Sequence, residues 1–69
     1  MNEIDIVVNG ETRRVKAPAT AADLLRQLGL DSRTVVVELN RRIVRRAQLD
    51  VAELAAGDTI ELVHFVGGG

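Results

Sequence analysis

Asn9-Gly10, set between two short strand-like runs, constrains this chain more than any other feature. A two-residue type I′ turn needs positive φ at both central residues, and Asn followed by Gly meets that need at least cost. Upstream, Ile4, Ile6 and Val8 recur with a period of two, which puts them on one face of a strand. Folding the two runs about the turn sets Glu3 opposite Lys16, Asp5 opposite Arg14 and Ile4 opposite Val15. Two opposite-charge pairs then share one face and an apolar pair lies on the other, which is a consistent register. Arg13 falls opposite Ile6, a mismatch that a sheet edge tolerates, so the second strand is predicted to be an edge strand.

Pro18 ends that strand. Thr20-Ala21-Ala22-Asp23 reads as a helix start, with the Thr20 hydroxyl accepting from an orphan amide and Asp23 at the positive end of the dipole. Ala21, Leu24, Leu25 and Leu28 form one apolar stripe, and Gly29 is free to adopt the left-handed conformation that stops a helix. Thr34 to Leu39 and the shorter Ile43-Val44 read as strands. Ala47 to Leu54 is open between an irregular turn and one turn of helix. Ala56-Gly57-Asp58-Thr59 is a turn, and Ile60 to Val66 is the last strand. Ile60 and Leu62 share one face of it and Val63 and Phe65 the other, the pattern of a strand inside a sheet.

A hairpin, a helix, two strands, a turn and a final central strand predict an α+β fold. A mixed sheet of four to five strands packs on one main helix, the β-grasp arrangement of ubiquitin-like proteins. Residues 1–66 make the domain and residues 67–69 a flexible Gly-Gly-Gly tail. With 69 residues and no cysteine, disulfide scaffolds, thiolate metal cages and cysteine catalysis are excluded together. The fold must rely on aliphatic packing alone. No apolar run is long enough to span a membrane and no signal peptide opens the chain, so it reads as soluble and cytoplasmic. Its net charge of −1 gives no electrostatic reason to expect nucleic acid.

The side chains offer little catalytic chemistry, and no metal or catalytic set is predicted. His64, the single histidine, has no Ser or Cys near it and reads as structural or partner-facing. No His, Asp and Glu spacing resembles a metal site. Arg41, Arg42, Arg45 and Arg46 put four guanidiniums in six residues. They read as a solvated edge strand whose charge blocks sheet-to-sheet pairing, or as a surface for an acidic protein, with nucleic acid a distant third for want of stacking aromatics. The end of the chain differs. Gly67-Gly68-Gly69 follows directly from a core strand, and glycine makes a tail that threads a channel too narrow for any other residue. Its terminal carboxylate becomes an electrophile once converted to an acyl-adenylate, which a sulfur or amine nucleophile can attack. A frayed terminus is the plain alternative.

Val63-His64-Phe65-Val66-Gly67-Gly68-Gly69, together with Val37-Glu38-Leu39-Asn40, Ile43-Val44 and Gly57-Asp58-Thr59-Ile60, resembles the ThiS family across essentially the whole length. These are the ubiquitin-like β-grasp sulfur carriers of thiamine (thiazole) biosynthesis. Leu49 departs from the family, which often has an aromatic residue there. The resemblance implies a protein cosubstrate and not an enzyme. The Gly69 carboxylate is expected to be adenylated by a ubiquitin-activating-type enzyme that uses ATP and Mg²⁺, the domain itself binding no cofactor. A persulfide charged from cysteine, by a cysteine desulfurase or equivalent donor, is expected to convert it to a thiocarboxylate. Thiazole synthase then takes the sulfur. Gly67 and Gly68 are expected to thread the partners' active sites, and Phe65 and Val66 to contact a partner's surface. The rival readings are a sulfur carrier for molybdopterin, cysteine or tRNA thiolation, a ubiquitin-like modifier, and a non-covalent regulatory module.

Overall fold

A computed structural model of the chain describes residues 2–65. Strands β1 (Asn2–Val8) and β2 (Glu11–Ala17) close about Asn9-Gly10, whose φ values of 50° and 84° are those of a type I′ turn. The register sets Glu3 against Lys16, Ile4 against Val15, Asp5 against Arg14 and Ile6 against Arg13, as the charge pattern requires. The Arg14 guanidinium donates to the Asp5 carboxylate at 3.0 Å on the solvent face.

Helix α1 (Ala21–Leu28) is capped at both ends by its own sequence. The Thr20 hydroxyl accepts from the Asp23 amide at 3.2 Å, and the Asp23 carboxylate accepts from the Thr20 amide at 2.9 Å. This reciprocal pair adds a bond to the Thr20 cap that the sequence signals. Two more orphan amides remain, and the 46–54 segment takes them. Ala21 donates to the Ala52 carbonyl at 2.8 Å and Ala22 to the Leu49 carbonyl at 3.1 Å. At the other end Gly29, with φ 71°, donates to Arg26 and Leu30 donates to Leu25, a Schellman termination. The stretch left open in the sequence is thus a short 3₁₀ turn (Arg46–Gln48) and a loop whose carbonyls finish the helix. Leu49, where a family aromatic is often found, is buried there.

The caps predict their own cost of removal. Thr20→Ala lowers unfolding stability by about 1 kcal/mol in urea denaturation at neutral pH. Hydrogen bonds to the Thr20 amide and to Arg26 hold the Asp23 carboxyl below its ordinary value of 3.8, and those to Arg33 hold Asp31 at about 2. Both groups have a lower folded than unfolded pKa. Their contribution is therefore complete above about pH 5 and is lost as pH falls through about 4 towards 2. Urea midpoints taken across that window show the loss, and an Asp23→Asn, Asp31→Asn double variant shrinks it.

Strands β3 (Val35–Leu39), β4 (Arg42–Val44) and β5 (Thr59–His64) complete one five-stranded sheet in the order β2-β1-β5-β3-β4. β1 and β5 are parallel and every other pair is antiparallel, so the sheet is mixed. β2 and β4 are the edges and β5 is central, as expected. The expected reason for its centrality holds only in part, because the helix covers one face. Ile60 and Leu62 are buried beneath it, whereas Val63 on the other face is 54% exposed. β5 also ends at His64, with Phe65 already outside the strand, and Val66 lies outside the described residues. The strand's last partner is Val35, and the Phe65 amide still reaches the Thr34 carbonyl at 3.0 Å. Beyond that the chain before β3 turns away, with Thr34 bonded back to Asp31. The core is wholly aliphatic, built from Ile6, Val8, Val15, Leu24, Leu25, Val35, Val37, Leu49, Leu54, Ile60, Leu62 and the small residues Ala19, Ala21 and Ala22.

A second type I′ turn joins β3 to β4, with Asn40 at φ 52° and Arg41 at φ 70°. Asn suits the first position, but an arginine in the second strains its backbone by roughly 1–2 kcal/mol. Glycine there is opposed only by an entropy loss of roughly 0.5–1 kcal/mol. Arg41→Gly is therefore expected to stabilise the domain by roughly 0.5–1 kcal/mol, which urea denaturation measures.

Candidate functional site

The tail leaves the domain from the middle of the sheet. Phe65 stands at the end of β5 and is 62% exposed. Val66, Gly67, Gly68 and Gly69 lie outside the described residues. The sequence therefore meets the structure at one of its five site residues, Phe65, and at the surface that surrounds the point of departure.

That surface is the outward face of the sheet, which has no helix over it. Val63 lies opposite Val36 in the β3–β5 register, and Ile43 of β4 lies opposite Glu38. Ile43 is 67% exposed, and with Val63 and Phe65 it belongs to the small set of large apolar side chains left in water. Among the described residues three of the four such side chains thus lie on this face, the fourth being Val51 on the loop. An apolar centre of this kind with polar surroundings is the usual anatomy of an interface. Ile43, Val36 and Phe65 share a shallow cleft of about 300 Å³ whose rim is made by Arg33, Arg45 and Arg46.

Glu38 and Glu61 stand directly opposite each other on the same face. Like charges so placed oppose pairing, and a cation brought by a partner relieves them. This pair could not be read from the residues alone, because it exists only once the β3–β5 register is set. Ile43 was legible as a strand residue, but its exposure depends on β4 having no layer above it.

Two side chains tie the turns to the central strand and so fix where it ends. Asn40 donates to Asp58 at 3.0 Å and accepts from the Thr59 amide at 2.9 Å, and Asp58 accepts from the Ala55 amide at 2.7 Å. Asn9 accepts from the Leu62 amide at 2.7 Å, lengthening the β1 ladder by one bond after the strand has turned. Asn40, Gly57, Asp58 and Thr59, part of the family-like pattern in the sequence, are here a structural lock and not reacting groups.

His64 is exposed at the end of β5 and borders a cleft of about 310 Å³ with Leu28, Leu30 and Leu62. It makes no side-chain hydrogen bond among the described residues. Among those residues no three His, Asp or Glu side chains group as metal ligands, and no helix is long and apolar enough to cross a membrane.

The ThiS family model matches residues 6–69. The chain is 44% identical over 64 residues to the thiazole synthase of Paramagnetospirillum magneticum and 41% identical over 64 residues to that of Magnetococcus marinus. It spans 20% of the length of each, while 93% of its own length is covered. It is 43% identical over 54 residues to the sulfur carrier protein ThiS of Bacillus subtilis, covering 78% of this chain and 82% of that one. The crystal structure of the thiamine biosynthesis protein ThiS from Geobacter metallireducens superimposes with a TM-score of 0.82 at 30% identity, over 96% of this chain and 100% of that one.

Proposed function

This chain belongs to the ThiS family, and from that premise we propose that it is a sulfur carrier protein of thiamine biosynthesis, loaded and unloaded at the Gly69 carboxyl. The observation that carries the reading is the combination of a family match running to residue 69 with a fold whose central strand points its end at an uncovered apolar surface. The likeness to a Bacillus sulfur carrier over most of its length supports it, as does the likeness to two thiazole synthases.

The chemistry assigns the domain no catalytic group. A carboxylate oxygen of Gly69 attacks the α-phosphorus of ATP in a ubiquitin-activating-type enzyme, where Mg²⁺ offsets the phosphate charge and pyrophosphate leaves. The terminal sulfur of a persulfide, charged from cysteine by a desulfurase or equivalent, then displaces AMP from the acyl carbon. Cleavage of the remaining S–S bond by a thiol leaves the thiocarboxylate, and thiazole synthase takes its sulfur. ATP and Mg²⁺ belong to the activating partner. The domain's part is to present the carboxyl: Gly67 and Gly68 enter the channel, and Phe65 and Val66 rest on its mouth. Two enzymes must use the same face in turn, so a small apolar centre that binds and releases is suited to the task.

Intact-protein mass spectrometry tests this. The chain is incubated with the adenylating enzyme, ATP, Mg²⁺ and a persulfide source, beside a variant lacking Gly69. A mass gain equal to one oxygen-for-sulfur exchange is expected in the full chain only. No gain, with the enzyme active on another carrier, overturns the reading.

A further inference from the structure

We infer that the arginine pairs bracketing β4, Arg41-Arg42 and Arg45-Arg46, form a docking edge for an acidic protein surface beside the channel that receives the tail. The inference rests on the carrier reading and adds to it where the partner's charge lies. Arg14, Arg26 and Arg33 are each engaged by a carboxylate of the domain itself, Asp5, Asp23 and Asp31 respectively. The four arginines around β4 are all exposed and make no ion pair among the described residues. On a chain of net charge −1 they form a local concentration of positive charge, offset in part only at Arg46, which lies near enough to Asp31 to help hold its carboxyl low.

Protection of an open edge explains part of this. β4 is the edge strand, and charge on it discourages pairing with another sheet. A short strand with one charged residue already achieves that, and edge protection does not account for Arg41. Its φ of 70° is a conformation in which glycine is the easier residue, and a backbone outlier held against its cost points to a use for the side chain. One end of the edge adjoins the tail's root, because Arg45 and Arg46 line the same cleft as Ile43 and Phe65, while Arg41 and Arg42 extend it to the far end of β4, level with the start of β5. Guanidiniums pair bidentately with carboxylates, which makes an acidic protein the fitting partner. Glu38 and Glu61 lie inward of Ile43 on the outward face, so the footprint changes sign from β4 to β5 and fixes the partner's orientation. The same change of sign opposes a nucleic acid backbone, and one aromatic residue makes no run of stacking platforms.

Exposed charges of this kind act mainly on the rate of encounter, and salt screens them. The test measures association rate constants of the full chain with the adenylating enzyme and with thiazole synthase, by stopped flow at about 50 and 500 mM salt. The variants are Arg41→Gly and the Arg42→Glu, Arg45→Glu pair, with folding checked by circular dichroism. For at least one enzyme the double variant is expected to associate roughly tenfold more slowly at low salt, the gap closing at high salt. Arg41→Gly is expected to be more stable than the parent and slower to associate. Rates within about twofold of the parent for both enzymes at both salts overturn the proposal. Tight binding of a single-stranded oligonucleotide at physiological salt, lost in the double variant, overturns it in favour of nucleic acid. Thiocarboxylate yield at saturating enzyme separates the two readings. Absence of thiocarboxylate in the parent overturns the carrier reading. Normal yield with unchanged rates overturns the docking edge alone.

Discussion

Deletion of Gly69 is expected to abolish thiocarboxylate formation and to leave the thermal unfolding midpoint where it was. The two halves of this result have separate causes. Among the described residues every buried hydrophobic side chain lies between Ile6 and Leu62, so the core that carries the stability is built before residue 66. The reaction, by contrast, needs the acyl carbon within near-attack distance of the nucleotide, and one missing residue withdraws it by about 3.5 Å. Gly68→Val is expected to act alike if the tail enters a channel wide enough only for backbone, because a β-branched side chain is stiff and wide. Mass spectrometry reads the loading and calorimetry the midpoint. Loading at the parent's rate in the Gly69 deletion defeats the mechanism, and normal adenylation of Gly68→Val defeats the argument from channel width.

Leu24→Ala gives the opposite pattern, a loss of stability with the tail chemistry intact in whatever remains folded. Leu24 is 1% exposed, on the helix face that meets the sheet above Ile6 and Ile60. Truncating a leucine so placed costs about 2–5 kcal/mol, the upper end applying where the surroundings cannot collapse into the cavity. A small domain without disulfide or metal has little more than that in reserve, so much of the variant population is unfolded at 37 °C. Urea denaturation at low temperature should give the difference directly. Loading per folded molecule should equal that of the parent, and a lower value would mean that the helix contributes to the partner surface.

The hairpin was the most legible part of the fold because three local facts agree on it: the Asn9-Gly10 turn, the period-two alternation and the cross-strand charges. The helix was legible for the same reason, with Thr20, Asp23 and Gly29 each marking a backbone need. The edge place of β2 and the central place of β5 followed from charge on the first and apolar content in the second. What stayed hidden was non-local. Nothing in Ala47 to Leu54 announces that the carbonyls of Leu49 and Ala52 complete a helix more than twenty residues upstream. Phe65 was legible as a surface residue at the root of the tail, but that Val63 and Ile43 join it depends on the outward face having no second layer. Arg41 gave no signal either, since its positive φ is imposed by the turn that Asn40 begins.

The placement of β5 between β1 and β3 also has a mechanical meaning. When a partner holds the tail and draws it along the strand axis, the pull is carried by hydrogen bonds on both flanks in shear, with the Asn9 and Asn40 side chains adding two more points of attachment. An edge strand under the same tension peels away one bond at a time. On the proposed carrier role, anchoring the end of the chain to the central strand would let partner enzymes pull on it in turn without unravelling the body behind it.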